Sequence, residues 1–175
     1  MLSMSEQRSS TGEIVAQLAV RVLRLEGLLT AAGDALAAPA GQSSARWRVL
    51  AAVEDAPRTV AQIARAWSLA RQSVQRIADL LARDGLVAYE ENPEHRRAKL
   101  VRLTPTGELT LHQIQTAQRR WADELGERLV ERDLQTVNRI LSDILDTLEE
   151  PPRADISPAA GASPFPDPCR AVLPA

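Results

Sequence analysis

The chain has 175 residues, 45% apolar and 25% charged, enough for a domain with its own core and too apolar for a chain disordered throughout. Aromatics make up only 3%, so the core must be built from Leu, Val, Ile and Ala, which favours helices. A single cysteine, Cys169, excludes an intramolecular disulfide and fits a reducing compartment. The polar N-terminus lacks the apolar stretch of a signal peptide and no apolar run is long enough for a bilayer, so the expected location is cytoplasmic, with no membrane partner.

Formal net charge is −2, mildly against a nucleic-acid partner, but its distribution reverses that impression. Residues 43–104 carry 11 basic and 7 acidic side chains, whereas residues 105–150 carry 5 and 10. A basic middle between acidic flanks is an electrostatic footprint in one place. The basic residues are 20 Arg and one Lys, which reads as the base composition of a GC-rich genome rather than as function.

In chain order, residues 1–12 are expected to be disordered. Ile14, Leu18, Val22, Leu25 and Leu29 recur at helical spacing and predict a helix over 13–37. Gly41 and the serines after it break the pattern, and Ser43 or Ser44 caps a second helix with Trp47, Leu50 and Val53 inward. Thr59-Val60-Ala61-Gln62 is a capping box opening a short helix whose apolar face is Ile63, Ala64 and Trp67. After the tight connection Ser68-Leu69-Ala70, a further helix runs from about Arg71 to Asp84 with Val74, Ile77, Ala78 and Leu81 inward, and Gly85 stands where a helix-ending glycine belongs.

The period then changes. Leu86-Val87-Ala88-Tyr89 and Lys99-Leu100-Val101-Arg102-Leu103 read as two strands of a hairpin around a polar, turn-rich tip. Thr104 caps a long helix with Pro105 at its first position, and Trp121, Leu125 and Leu129 mark one face. Asp133 is the expected cap of a last helix. After it, Leu134, Val137, Leu141, Ile144 and Leu148 repeat at heptad spacing. Such a stripe wants a partner helix, from the same chain or a second subunit. The helix has little of its own chain to cover it, which favours a dimer. Residues 151–175 hold 7 of the 11 prolines and read as a disordered tail.

A short capped helix, a tight turn and a second helix make a helix-turn-helix, and a hairpin directly after it is a wing. The expected fold is mainly α with a small β-hairpin wing: a winged helix-turn-helix at 43–104, flanked by dimerisation helices at 13–42 and 105–150. The second helix of the motif fits the major groove, and a wing Arg suits the negative potential of the minor groove. The solvent-facing positions Arg71, Gln72, Ser73, Gln75 and Arg76 can all hydrogen-bond and none is acidic. Arg reads guanine and Gln reads adenine in bidentate fashion. Arg96, Arg97 and Lys99 are the corresponding wing candidates. Ser44 and Thr59 are caps first and phosphate contacts second, since a helix N-terminus attracts anions. Arg76 has two competing partners, Asp79 and Asp84.

At these residues the chain resembles the MarR family of bacterial regulators. The resemblance runs over about 13–149 and is most specific across RQSVQRIADLLARDGLVAYEENPEHRRAKLVRLTPTGE, residues 71–108. It includes the helix end Leu81-Ala82-Arg83-Asp84-Gly85-Leu86-Val87 and the helix start Leu103-Thr104-Pro105-Thr106-Gly107. The resemblance implies an obligate homodimer on double-stranded DNA. Its N- and C-terminal helices interlace, and its recognition helices sit roughly 10 base pairs apart on a pseudo-palindrome. It also implies repression of a nearby gene, relieved when a small-molecule effector enters a crevice between the dimerisation and DNA-binding parts.

Three departures stand out. His95 occupies the place of the wing aspartate that orients the wing Arg, here Arg97, and leaves Glu94 as the nearby carboxylate. Ser68 and Ala70 replace a glycine-like residue and a polar cap. There is no N-terminal cysteine of the kind peroxide-sensing members use.

The three tryptophans read as core. His95, His112 and Cys169 lack metal-ligand spacing, and no nucleophile triad, phosphate loop or paired carboxylates appear, so neither catalysis nor a cofactor is expected. The alternative to a DNA-binding regulator is a winged helix that docks a protein partner instead.

Overall fold

The computed structural model describes residues 9–95 and 97–150. The chain divides into two compact units, one up to Leu125 and one from Gly126 onward. The tail at 151–175, Cys169 and Arg96 lie outside the described residues.

Helix α1 spans Ser10–Ala37 and begins three residues earlier than the apolar period predicts. The Ser9 hydroxyl accepts from the Gly12 N–H at 3.0 Å, which satisfies one of the free donors at the helix start. Residues 10–12 of the segment expected to be disordered are therefore helical. A 3-10 turn at Ala38–Ala40 ends at Gly41, whose φ of +68° is left-handed. Helix α2, Ser44–Ala52, takes Ser43 as its cap, with the Ser43 oxygen accepting from the Arg46 N–H.

Strand β1, Arg58–Thr59, leads directly into helix α3, Val60–Ala66, and helix α4 follows at Arg71–Arg83. Strands β2, Val87–Glu90, and β3, Leu100–Leu103, form the wing. The sheet has three strands in the order β1-β3-β2, all antiparallel, rather than the two of a simple hairpin. The third strand escapes the sequence because it is only two residues long. It exists because Thr59, as the cap of α3, must be extended, and Arg58 and Thr59 then lie opposite Val101 and Leu100.

Leu50 of α2, Ile63 of α3, Val74 and Leu81 of α4, Val101 of β3 and Leu111 form one buried cluster. Each such side chain contributes about 1.5–3 kcal/mol on leaving water. Leu111 belongs to helix α5, Pro105–Gly126. Trp47 packs against this core, but Trp67 does not, contrary to the sequence expectation: it caps the end of α3 and is 44% exposed. The chain turns away there, so the ring falls outside the face that Ile63 and Ala64 share.

Helix α6, Glu131–Glu149, stands in the second unit. It starts from Val130, with no side-chain cap, and Asp133 lies in its first turn rather than at its cap. None of its residues is buried. Leu134, Val137 and Leu148 of the heptad stripe are exposed, and Leu141 and Ile144 are half-buried. Helix α1 likewise exposes Ile14, Leu25 and Leu29.

Candidate nucleic-acid interface

The helix-turn-helix is built by local chemistry. Thr59 accepts from the Gln62 N–H at 3.2 Å, while the Gln62 side-chain oxygen accepts from the Thr59 N–H at 2.8 Å. This reciprocal pair fixes where α3 starts. At the other end, the Leu69 N–H donates to the Ala64 carbonyl at 2.8 Å, and Ser68 adopts a φ of +49°. Ser68 thus takes the left-handed conformation that a glycine adopts most easily. Ala70 caps α4 with no side-chain hydrogen bond.

Helix α4 buries Val74, Ala78 and Leu81 and turns Arg71, Gln72, Ser73, Gln75 and Arg76 to solvent. The other edge is the wing. In its tip, the Asn92 side-chain oxygen accepts from the Glu94 N–H at 3.0 Å and the Ala98 N–H donates to the His95 carbonyl at 2.9 Å. Asn92 is buried, while Arg97 and Lys99 are exposed. A cleft of about 350 Å³ joins the two edges, and Thr59, Arg71, Gln75, Tyr89, Arg97 and Lys99 are among its lining residues. A groove of about 550 Å³ follows the exposed face of α4 past Arg71, Gln72, Gln75, Arg76 and Arg83.

Three of the basic residues nearby are neutralised by carboxylates. Arg46 pairs with Asp84, Arg48 with Glu26 at 3.8 Å, and Arg102 with Glu90 across the wing. Arg71, Arg76, Arg97 and Lys99 make no ion pair among the described residues. Arg76 therefore pairs with neither of its two sequence neighbours: Asp84 holds Arg46, and Asp79 accepts from Gln75 and Tyr89. Glu94 forms no ion pair with Arg97, and among the described residues no carboxylate pairs with Arg97 in place of the missing wing aspartate.

Ser44 does not fit the role of a phosphate contact. It is 6% exposed, and its N–H donates to the Asp34 carboxylate at 2.7 Å. Hydrogen bonding from the Ser44 backbone first, and then from its side chain, holds the Asp34 carboxyl below its ordinary value. Thr59 borders the cleft, but its hydroxyl is engaged within the capping box.

A feature that the sequence reading missed is the set Gln75, Asp79 and Tyr89. The Gln75 amide donates to Asp79 Oδ1 at 2.9 Å and to the Tyr89 hydroxyl at 2.9 Å, and that hydroxyl donates to Asp79 Oδ1 at 2.7 Å. Burial, then the Asp79 hydrogen bond, push the Tyr89 phenol up to about 12. The i, i+4 spacing of Gln75 and Asp79 was a visible signal. The approach of Tyr89 from β2 was not. Among the described residues, no three His, Cys, Asp or Glu side chains come together as a metal site, and no helix is long and apolar enough to cross a membrane.

Comparison with known proteins matches residues 41–98 to the MarR family. An uncharacterized protein of Mycobacterium tuberculosis is 41% identical over 100 residues, covering 57% of this chain and 70% of the relative. Among solved structures, the transcriptional regulator BldR from Sulfolobus solfataricus superposes with a TM-score of 0.67 at 22% identity, covering 78% of this chain and 99% of its own. The transcriptional repressor CouR, bound to a 23-mer DNA duplex, gives 0.67 at 23% identity, with 79% and 99% covered. Wild-type MarR from E. coli in its apo form gives 0.56 at 25% identity, with 70% and 95% covered.

Proposed function

The chain belongs to the MarR family of winged-helix transcription regulators, and from that premise we propose that it is a cytoplasmic, sequence-specific DNA-binding repressor, acting as a homodimer on a pseudo-palindromic operator and released by a small-molecule effector. One observation carries the DNA-binding reading: Arg71 from α4 and Arg97 and Lys99 from the wing border one cleft, and none has an ion pair among the described residues. Cations left uncompensated on a convex helix and an adjacent hairpin are what a phosphate backbone neutralises, with release of counterions.

In this reading residues 43–104 bind DNA. Arg71, Gln72, Ser73, Gln75 and Arg76 enter the major groove. Arg97, with its sequence neighbour Arg96, reaches the flanking minor groove, and Lys99 meets phosphate. Residues 13–42 and 105–150 serve dimerisation. The exposed Ile14, Leu25 and Leu29 of α1 and the exposed stripe of α6 support this, because a second copy would take them out of water. The acidic excess of 105–150 disfavours DNA contact by that segment itself. Repression and the effector rest on family membership. The reading assigns the chain no catalytic step and no cofactor.

The test is an anisotropy titration of the full chain against the DNA upstream of its own gene, with a scrambled duplex and two salt concentrations. Tight, salt-sensitive binding that prefers the upstream fragment is expected. Equal and weak binding to both, with a shallow salt slope, refutes autoregulation through this face and favours a winged helix that docks a protein.

A further inference from the structure

One carboxylate stands on the face of α4 that the DNA-binding reading turns toward bases. Gln72, Arg76, Asp79 and Arg83 follow one another at spacings of four, three and four residues, so they form a single stripe, and all of them are exposed. Asp79 lines both the groove along α4 and the cleft to the wing. Arg76 and Arg83 flank it at helical contact spacing, yet neither forms an ion pair with it among the described residues. Its two oxygens are used unequally. Oδ1 accepts from the Gln75 amide at 2.9 Å and from the Tyr89 hydroxyl at 2.7 Å. Oδ2 accepts no hydrogen bond among the described residues. The carboxylate is thus anchored by one oxygen, from its own helix and from β2, and its other oxygen is left to accept.

A carboxylate with no cation beside it is repelled by phosphate, and the groups of the major groove that satisfy it are the amino groups, cytosine N4 and adenine N6. Adenine sets its N7 acceptor beside N6, which repels a carboxylate. Cytosine has no acceptor beside N4. Guanine and thymine present the acceptors O6, N7 and O4, which repel it as well. Resting on the DNA-binding reading above, we propose that Asp79 is a specificity-determining residue that accepts from cytosine N4 through Oδ2, with Tyr89 and Gln75 as positioning residues that hold Oδ1. Burial, then Asp79 itself, push the Tyr89 phenol up to about 12, so the hydroxyl remains a donor to Oδ1 at any pH at which DNA binding is measured.

The test is selection from a randomised duplex library with the full unmutated chain, Asp79→Ala, Asp79→Asn and Tyr89→Phe, with thermal melting to check that each variant folds. Arg71, Arg97 and Lys99 border the same cleft and remain in every variant. In the unmutated chain one position per half-site should favour cytosine over each other base by about five-fold or more, the scale of one discriminating base contact. Asp79→Ala should erase that preference and leave the other positions as they were. Asp79→Asn keeps the shape of the side chain but replaces one acceptor by a donor, so it should end the exclusion of guanine and thymine there. This isosteric variant carries the test should Asp79→Ala fail to fold. Tyr89→Phe keeps the ring and removes only the hydroxyl. It should weaken the cytosine preference at the same position without moving the salt slope, because no phosphate contact is lost.

If the unmutated chain enriches an operator in which no cytosine responds to either Asp79 variant, or if those variants change the affinity for all sequences alike, Asp79 only anchors Tyr89 to α4, and the proposal is overturned while DNA binding stands. A cytosine preference that depends on Asp79 but survives intact in Tyr89→Phe overturns the positioning role of Tyr89. If the unmutated chain enriches no sequence, the DNA-binding reading itself falls, and base reading by Asp79 with it.

Discussion

Gly107→Ala should destabilise the junction between wing and α5, and the structure supplies the size of the effect. Gly107 lies in the first turn of α5, where its N–H donates to the Thr104 hydroxyl at 3.1 Å. Thr104 is itself fixed twice: its hydroxyl donates to the Gly85 carbonyl at 2.7 Å and its N–H to the Leu86 carbonyl at 3.1 Å. A Cβ on Gly107 would stand 2.0 Å from the Leu86 oxygen, 3.0 Å from its carbonyl carbon and 3.2 Å from Leu103 Cδ2. Two of these are backbone atoms that no rotamer change can move, so the first turn of α5 must withdraw and loosen the Thr104 cap. Overpacking costs about 1–3 kcal/mol and a lost cap about 1 kcal/mol. Replacing glycine in a helix returns about 1 kcal/mol. A net loss of about 2 kcal/mol lowers Tm by about 4–8 °C in a chain of this length. Thermal melting followed by circular dichroism measures it, with Gly126→Ala as control, since nothing lies within 4 Å of a Cβ there. A Gly107→Ala chain that melts with the unmutated one would refute the reasoning and mean that α5 slides freely on the Leu86 carbonyl.

The other expectations are briefer. Arg97→Ala should weaken DNA binding and make the slope of log affinity against log salt shallower by about 0.9, the share of one phosphate, in the two-salt titration; an unchanged slope removes the wing tip from the contact. Ala70→Ser gives α4 the side-chain cap it lacks and should raise stability by about 0.5–1 kcal/mol in urea unfolding, and a neutral or lower midpoint would show that the Ser68 turn, not the cap, limits α4. Asp34 has its carboxyl held below the ordinary 3.8 by Ser44. Its contribution is therefore present above that value and lost as pH falls through the lowered one. Asp34→Ala should remove that part of the acid limb of a pH–stability profile, and identical acid limbs in the two proteins would show that the Ser44 contact does not link α1 to α2.

The helices, the wing and the exposed polar face of α4 were legible in the sequence because each rests on local chemistry. The box Thr59 to Gln62, the spacing of Val74, Ala78 and Leu81, and Gly85 with its φ of +74° are decided within a few residues of chain. The signature glycine of the α5 start could be recognised as a pattern, but its cause, the Leu86 carbonyl beneath it, lies 21 residues away and belongs to tertiary structure. The same division runs through the candidate interface. Composition placed cations on α4 and the wing alike. Only the fold decided that Arg46, Arg48 and Arg102 are neutralised while Arg71, Arg97 and Lys99 border one cleft. It also buried Ser44, exposed Trp67, and brought Tyr89 of β2 to Gln75 of α4. Periodicity reports which face of an element leaves water. Which particular atoms then meet depends on how elements distant in sequence are set against one another, and no local spacing encodes that.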